Sequence, residues 1–267
     1  MKEIETAKPE STVPDYNATE HSSTNPFDQT KYRFPLTCLK CGKQVTIIAT
    51  FDRAQHRKYC DPCGTAIEAK RAETERQRLQ EQREAAWMHI QPPLYRDTNI
   101  DDPRLHSEIV TAAKQWNPSD DGRGLLFSSR RSGIGKTRCM FWALQRYFMQ
   151  DDDCSLMAVT HGALCEFMRA AAMGEIQRHD CVGGGRDAAK KYHRPSILFI
   201  DDFGRGKFTD FQNSELFELL EHRTAKGLIT CITTNYSAGD LAAKFASNDG
   251  DAILRRIGSE FNNVVHL

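Results

Sequence analysis

Four cysteines fall in two pairs, Cys38-Leu-Lys-Cys41-Gly42 and Cys60-Asp-Pro-Cys63-Gly64, with eighteen residues between the pairs. Two residues inside each pair let both sulfurs of a tight turn reach one metal at about 2.3 Å, and Gly42 and Gly64 suit the positive φ of such a turn. Four thiolates close the shell of a zinc ion, so the expected metal is structural zinc held by Cys38, Cys41, Cys60 and Cys63. A redox pair would need only one such spacing, and His56 finds no vacancy in a complete set. A second string, Arg130-Arg131-Ser132-Gly133-Ile134-Gly135-Lys136-Thr137, has the order of a phosphate-binding loop. There, backbone N–H groups attract phosphates, Lys136 would neutralise the β- and γ-phosphates of ATP, and the Thr137 hydroxyl would hold Mg²⁺. Arg130 stands where this loop usually has its first glycine. A third group, Asp201-Asp202 at the end of Ser196-Ile-Leu-Phe-Ile, supplies a carboxylate for the magnesium shell (Asp201) and one to orient or deprotonate water (Asp202). Asn235 closes the apolar run Leu228–Thr234 and is placed to contact the γ-phosphate or its water. Asp202-Phe-Gly204 also mimics a protein-kinase motif, but no catalytic loop of that kind precedes it.

These groups need elements to hold them. Gly124–Ser128 reads as a buried strand feeding the loop, and Met140, Ala143, Leu144, Tyr147 and Phe148 mark one face of the helix after it. Short apolar runs alternating with helical stretches beyond Pro93 predict an α/β domain with a parallel sheet. Between the cysteine pairs, Gln44–Phe51 reads as a strand of β-branched residues, as in a zinc ribbon. Ala66 to about Trp87 is rich in helix formers and poor in apolar residues, which predicts a solvent-bridging connector stopped by Pro92-Pro93. Ala252–Gly258 forms a short amphipathic helix with Arg255 and Arg256, followed by a last strand at Asn263–Leu267. The expected domains are a tail (1–32), a zinc ribbon (33–65), a connector (66–91) and an ATPase domain (92–267).

Charge is unevenly distributed although 36 basic and 36 acidic residues cancel in the whole chain. Residues 1–30 are acidic and apolar-poor, the composition of a disordered tail. Residues 31–63 carry Lys31, Arg33, Lys40, Lys43, Arg53, Arg57 and Lys58, a set that suits either a phosphate backbone or a solvated face. Neutrality overall excludes a uniformly basic nucleic-acid binder. No run reaches the roughly 18 apolar residues of a membrane span and no signal region opens the chain, so a cytoplasmic protein with no membrane contact is expected. The other cysteines (139, 154, 165, 181, 231) show no ligand spacing and read as apolar fillers. Gly183-Gly-Gly185 marks a flexible loop in the stretch between Thr160 and Ser196.

Residues from about 92 onward resemble a AAA+ ATPase of the DnaC/IstB type. The resemblance rests on RSGIGKT, ILFIDDFG, ITTN and ILRRI, with the lead-in PPLYRDTNIDD, and FIDDFGRGKFT with SELFELLEHRT is similar to phage-type loaders. It implies a five-stranded parallel sheet of order 5-1-4-3-2, no separate lid, and an arginine finger, Arg256 in preference to Arg255, acting on a neighbour's nucleotide. Self-association through Arg256, single-stranded DNA and a replicative helicase are the implied partners, in a bacterial or phage-infected cell. The implied function is a helicase loader. A transposition helper of the IstB kind and a zinc-ribbon adaptor that binds ATP without turnover are the alternatives.

Overall fold

The computed structural model describes residues 31–173, 190–206, 209–245 and 250–267. The expected tail over residues 1–30, Cys181 and the Gly183–Gly185 loop lie outside them. Two compact units divide at Leu79/Gln80.

The first unit is built on a hairpin of β1 (Tyr32–Thr37) and β2 (Gln44–Ala49), paired antiparallel with Tyr32 opposite Ala49 and Thr37 opposite Gln44. Side chains alternate across a strand, so Tyr32, Phe34, Ile47 and Ala49 share one face and form its small core. β1 opens one residue inside the expected tail. β2 stops at Ala49 where the strand was expected to reach Phe51, and Phe51–His56 forms α1 instead. Helix α2 (Asp61–Ile90) starts at the second cysteine pair, five residues before the expected connector. Pro62 is tolerated there because first-turn N–H groups have no intrahelical acceptor to lose.

The second unit, from Gln80, begins with the end of α2, which is not simply solvent-bridging. Trp87 is 2% exposed and lies edge-on to Phe141 at 6.3 Å. Arg83 donates to the carbonyls of Phe148, Asp151 and Asp152. A single tryptophan in a polar run leaves no periodic signal, which is why the sequence pattern conceals this anchor. After it come α3 (Ser107–Gln115) and α4 (Pro118–Asp121), then β3 (Gly124–Ser128), α5 (Lys136–Gln150), β4 (Leu156–Thr160) and α6 (His161–Ala172). The rest of the unit runs β5 (Ile197–Phe203), α7 (Asp210–Ala225), β6 (Ile229–Thr234), α8 (Ala238–Lys244), α9 (Gly250–Ile257) and β7 (Asn262–His266).

The sheet order is β4-β5-β6-β3-β7, every pairing parallel. Counted from β3 as first strand, that is the expected 5-1-4-3-2 read from the other edge. Alternation divides the core in two. Leu125, Phe127, Ile197, Phe199 and Cys231 pack under α3, α5 and the end of α2. Leu126, Leu198, Ile200 and Ile232 pack with residues of α6 to α9. The carboxyl ends of β3, β5 and β6 thus lie side by side, where α/β sheets bind ligands. No helix among the described residues is long and apolar enough to cross a membrane.

Arg223, on α7, is fully buried. Its guanidinium donates to the carbonyls of Tyr192 (3.0 Å), Pro195 (2.9 Å), Ser196 and Ile229, and to Thr230 Oγ1 (3.0 Å). Burial pulls its pKa down to about 10, which leaves it charged at neutral pH. One side chain therefore satisfies the backbone at the amino ends of β5 and β6. Arg223→Ala strands those acceptors, a loss of about 3 kcal/mol or more. We expect a Tm lower by about 6 to 12 °C; a scanning-calorimetry shift under about 2 °C would contradict this role.

Candidate nucleotide site and metal centre

β3 is buried along its whole length and delivers residues 129–135 to the sheet edge. Gly133 and Gly135 have φ of +77° and +95°, the left-handed turns of the loop, and a Cβ at Gly135 would fall 2.4 Å from Leu105 Cδ2. Arg130 is not in the left-handed region, so its position needs no glycine. Its side chain turns outward and grips Asp240 at 2.9 and 2.8 Å. Arg131 and Ser132 are exposed, and the Ile134 carbonyl accepts from His106 N–H at 3.2 Å. Lys136 opens α5 and is 8% exposed; its Nζ donates to Ser129 O (3.2 Å) and Arg131 O (2.8 Å). Burial lowers its pKa, and the Asp202 and Asp201 charges oppose that shift.

Thr137 Oγ1 donates to Asp201 Oδ1 at 2.8 Å, so the loop and the carboxyl end of β5 meet in one site. The same carboxylate accepts a hydrogen bond from Thr233 Oγ1. Burial foremost raises the Asp201 pKa, and the two hydroxyls oppose the shift. β5 is irregular between Ile200 and Phe203, and Asp202 has φ of +53°, alone among described non-glycine residues. Its N–H donates to Thr233 Oγ1 (3.2 Å), and its carboxylate accepts from Asn235 Nδ2 (3.2 Å) and Arg205 (3.1 Å). The irregularity keeps both aspartates at the site, where a regular strand would send them to opposite faces. Lys136, Thr137, Asp201, Asp202 and Asn235 are thus brought together. Thr233 was not singled out in the sequence, although it sits inside the Ile-Thr-Thr-Asn run. Tyr95, which belongs to no chemical motif, stacks on Phe141 at 5.2 Å, and burial first, then Asp201 and Asp202, raises its pKa.

No family model matches the sequence, and no curated protein matches it. Among solved structures, the crystal structure of the DnaC helicase loader aligns over 66% of this chain and 99% of its own, with 22% identity and a TM-score of 0.51. The second unit has the AAA+ fold. At that identity the likeness speaks for the fold alone. DnaI (15% identity, TM-score 0.48, 66% and 90% covered) and AMPPCP-bound DnaA from Aquifex aeolicus (12%, 0.48, 66% and 50%) are similar to a lesser degree.

In this AAA+ unit the two arginines of α9 differ. Arg256 is held within its own chain, 13% exposed, by an ion pair with Glu221, a bond to Ala252 O (3.1 Å) and the Phe217 ring at 4.7 Å. Arg255 is exposed. The expected finger is therefore the arginine engaged in cis in a single chain.

In the first unit, the Sγ atoms of Cys38, Cys41, Cys60 and Cys63 lie within 4.8 Å of one another. Cys41 and Cys60 sulfurs are 3.8 Å apart, too far for a disulfide. Four thiolates about 2.3 Å from one zinc at tetrahedral angles are about 3.8 Å apart, so the separation fits the metal. Backbone N–H groups, Cys60 first and then Cys41 and Lys40, hold the Cys38 thiol down to about 6. Hydrogen bonding with Cys60 above all pushes the Cys63 thiol up to about 12, so without a metal the cage favours one thiolate and a metal would have to displace the other protons. The donor set and its spacing suit zinc.

Proposed function

We propose that this chain is a Mg²⁺-dependent ATPase acting as a DnaC-like helicase loader in DNA replication, with a zinc-bearing N-terminal module. The observation that carries the ATPase reading is the 2.8 Å bond between Thr137 and Asp201, which joins the phosphate-binding loop to the acidic strand end. Thr137 and Asp201 would hold magnesium, which supplies charge neutralisation between the β- and γ-phosphates. Lys136 moves from two loop carbonyls to the phosphates when these arrive. Asp202, fixed by Asn235 and Thr233, orients or deprotonates the attacking water. Arg130, Arg131, Ser132, Gly133, Ile134 and Gly135 frame the phosphates with backbone N–H groups.

Loading of a replicative helicase and binding of single-stranded DNA rest on the resemblance and on the DnaC-like fold. The loader reading expects ATP hydrolysis stimulated by single-stranded DNA and co-purification with a hexameric helicase. A transposition helper would instead prefer duplex DNA and a transposase. ATP binding whose turnover no DNA or partner raises would favour the adaptor.

Arg256 is the arginine proposed to act on a neighbour's nucleotide, which requires it to exchange Glu221 for phosphate. That exchange would break the pair with the half-exposed Glu221 together with the Ala252 carbonyl bond and the Phe217 ring contact. Arg256→Ala should lower partner-stimulated turnover about tenfold or more with ATP affinity nearly unchanged. If Arg255→Ala lowers it and Arg256→Ala does not, the exposed arginine holds the role.

A further inference from the structure

Three links fasten the end of β3 and the start of the phosphate-binding loop to the end of β6 and the segment after it. Ser129 N–H donates to Thr234 O (3.2 Å), Ser128 Oγ donates to Tyr236 O (2.9 Å), and the Arg130 guanidinium forks onto both oxygens of Asp240. Asn235, which holds Asp202, lies between these anchors. Asp240 is itself fixed before Arg130 reaches it, since it closes a capping box by accepting from Ser237 N–H (3.1 Å) and Oγ (2.7 Å). On the other side, the carbonyls flanking Arg130, those of Ser129 and Arg131, are the two that seat Lys136 Nζ. Pinning the Arg130 side chain therefore pins the backbone that carries the lysine.

The pair is poorly explained as a stability device. Its side chains are 73% and 34% exposed, where ion pairs contribute little. Its planar, two-point geometry fixes orientation instead. Arg130 above all holds the Asp240 carboxyl down to about 2, so the contact persists across the neutral range.

We infer that Arg130 and Asp240 form a positioning strut that keeps the loop backbone on either side of Arg130 in register with the Asn235 segment. The arginine at the loop's first position thereby couples the Asn235 contact with the γ-phosphate to the loop backbone that frames the phosphates. This rests on the ATPase reading above.

The test is a double-mutant cycle in the full chain with Arg130→Ala, Asp240→Asn and the pair combined, reading kcat, KM, binding of a fluorescent ATP analogue and Tm. Asp240→Asn keeps an oxygen for the Ser237 cap. Each single change should lower kcat about tenfold, since small misplacements of a reacting group are costly. The double variant should be no worse than either single one, with nucleotide affinity within about twofold and Tm within about 2 °C of wild type. Arg130→Lys, which keeps charge but loses the fork, should recover only part of the rate. Single variants with near-normal kcat, or losses that add in the double variant, would overturn the strut. So would a large affinity loss in Arg130→Ala alone, because that assigns Arg130 to the phosphates directly. Wild-type protein that neither binds nor hydrolyses ATP would instead remove the ATPase reading itself.

Discussion

Lys136→Ala should abolish the proposed ATP turnover, by about 10³-fold or more, in a protein that remains folded. The lysine is the cation seated deepest in the loop, and the charge developing on the γ-phosphate would meet it in a site screened from water, where electrostatic stabilisation is strongest. In the nucleotide-free chain its ammonium already rests on the carbonyls of Ser129 and Arg131, so it approaches the phosphates from a short distance and a fixed direction. Lys136→Arg should not restore activity, because a forked guanidinium does not fit a slot that leaves the lysine 8% exposed. Steady-state hydrolysis and analogue binding check this. A Lys136→Ala protein retaining more than about a tenth of wild-type turnover would show that the loop does not perform the chemistry proposed.

Removal of the proposed zinc should unfold the hairpin module. Its apolar core has four buried side chains, Tyr32, Phe34, Ile47 and Ala49, far fewer than a domain of this size needs to offset its chain entropy. The four thiolates must supply the difference, and structural zinc sites contribute about 10 to 16 kcal/mol at neutral pH. The expected result is one zinc per chain. Chelation, or Cys38→Ser, should lose the metal together with the amide protection of β1 and β2. The AAA+ unit, which has its own core, should keep its melting transition. Lowering the pH should release the metal as the thiolates protonate. Zinc below about half an equivalent in protein with intact thiols would overturn the assignment, and so would a hairpin that survives chelation.

What could be read without coordinates was local. Cys38, Cys41, Cys60 and Cys63 declare a metal because ligand spacing is a property of a few neighbouring residues. The Gly135-Lys136-Thr137 turn and the Asp201-Asp202 strand end point to the proposed phosphate site for the same reason, and β3 falls at Gly124–Ser128 as its pattern indicates. Elements whose reason for existing is tertiary escaped. β1 has no motif of its own and is defined by its pairing with β2. Trp87 looks like one apolar residue in a polar helix until Phe141 and Phe148 are placed against it.

The sequence by itself thus determined the chemistry on offer: a thiolate cage, a phosphate-binding loop, paired carboxylates and a parallel α/β sheet to carry them. It did so because backbone turns, strand alternation and helix periodicity act over a few residues. The tertiary structure decided which of those groups work on one another. Arg130 finds Asp240 across 110 residues, Arg223 gathers the amino ends of two strands, and Arg256 lies on Glu221 and Phe217. Such partners are set by how strands order in the sheet and how helices cross it, and those distances leave no trace in the spacing of residues along the chain.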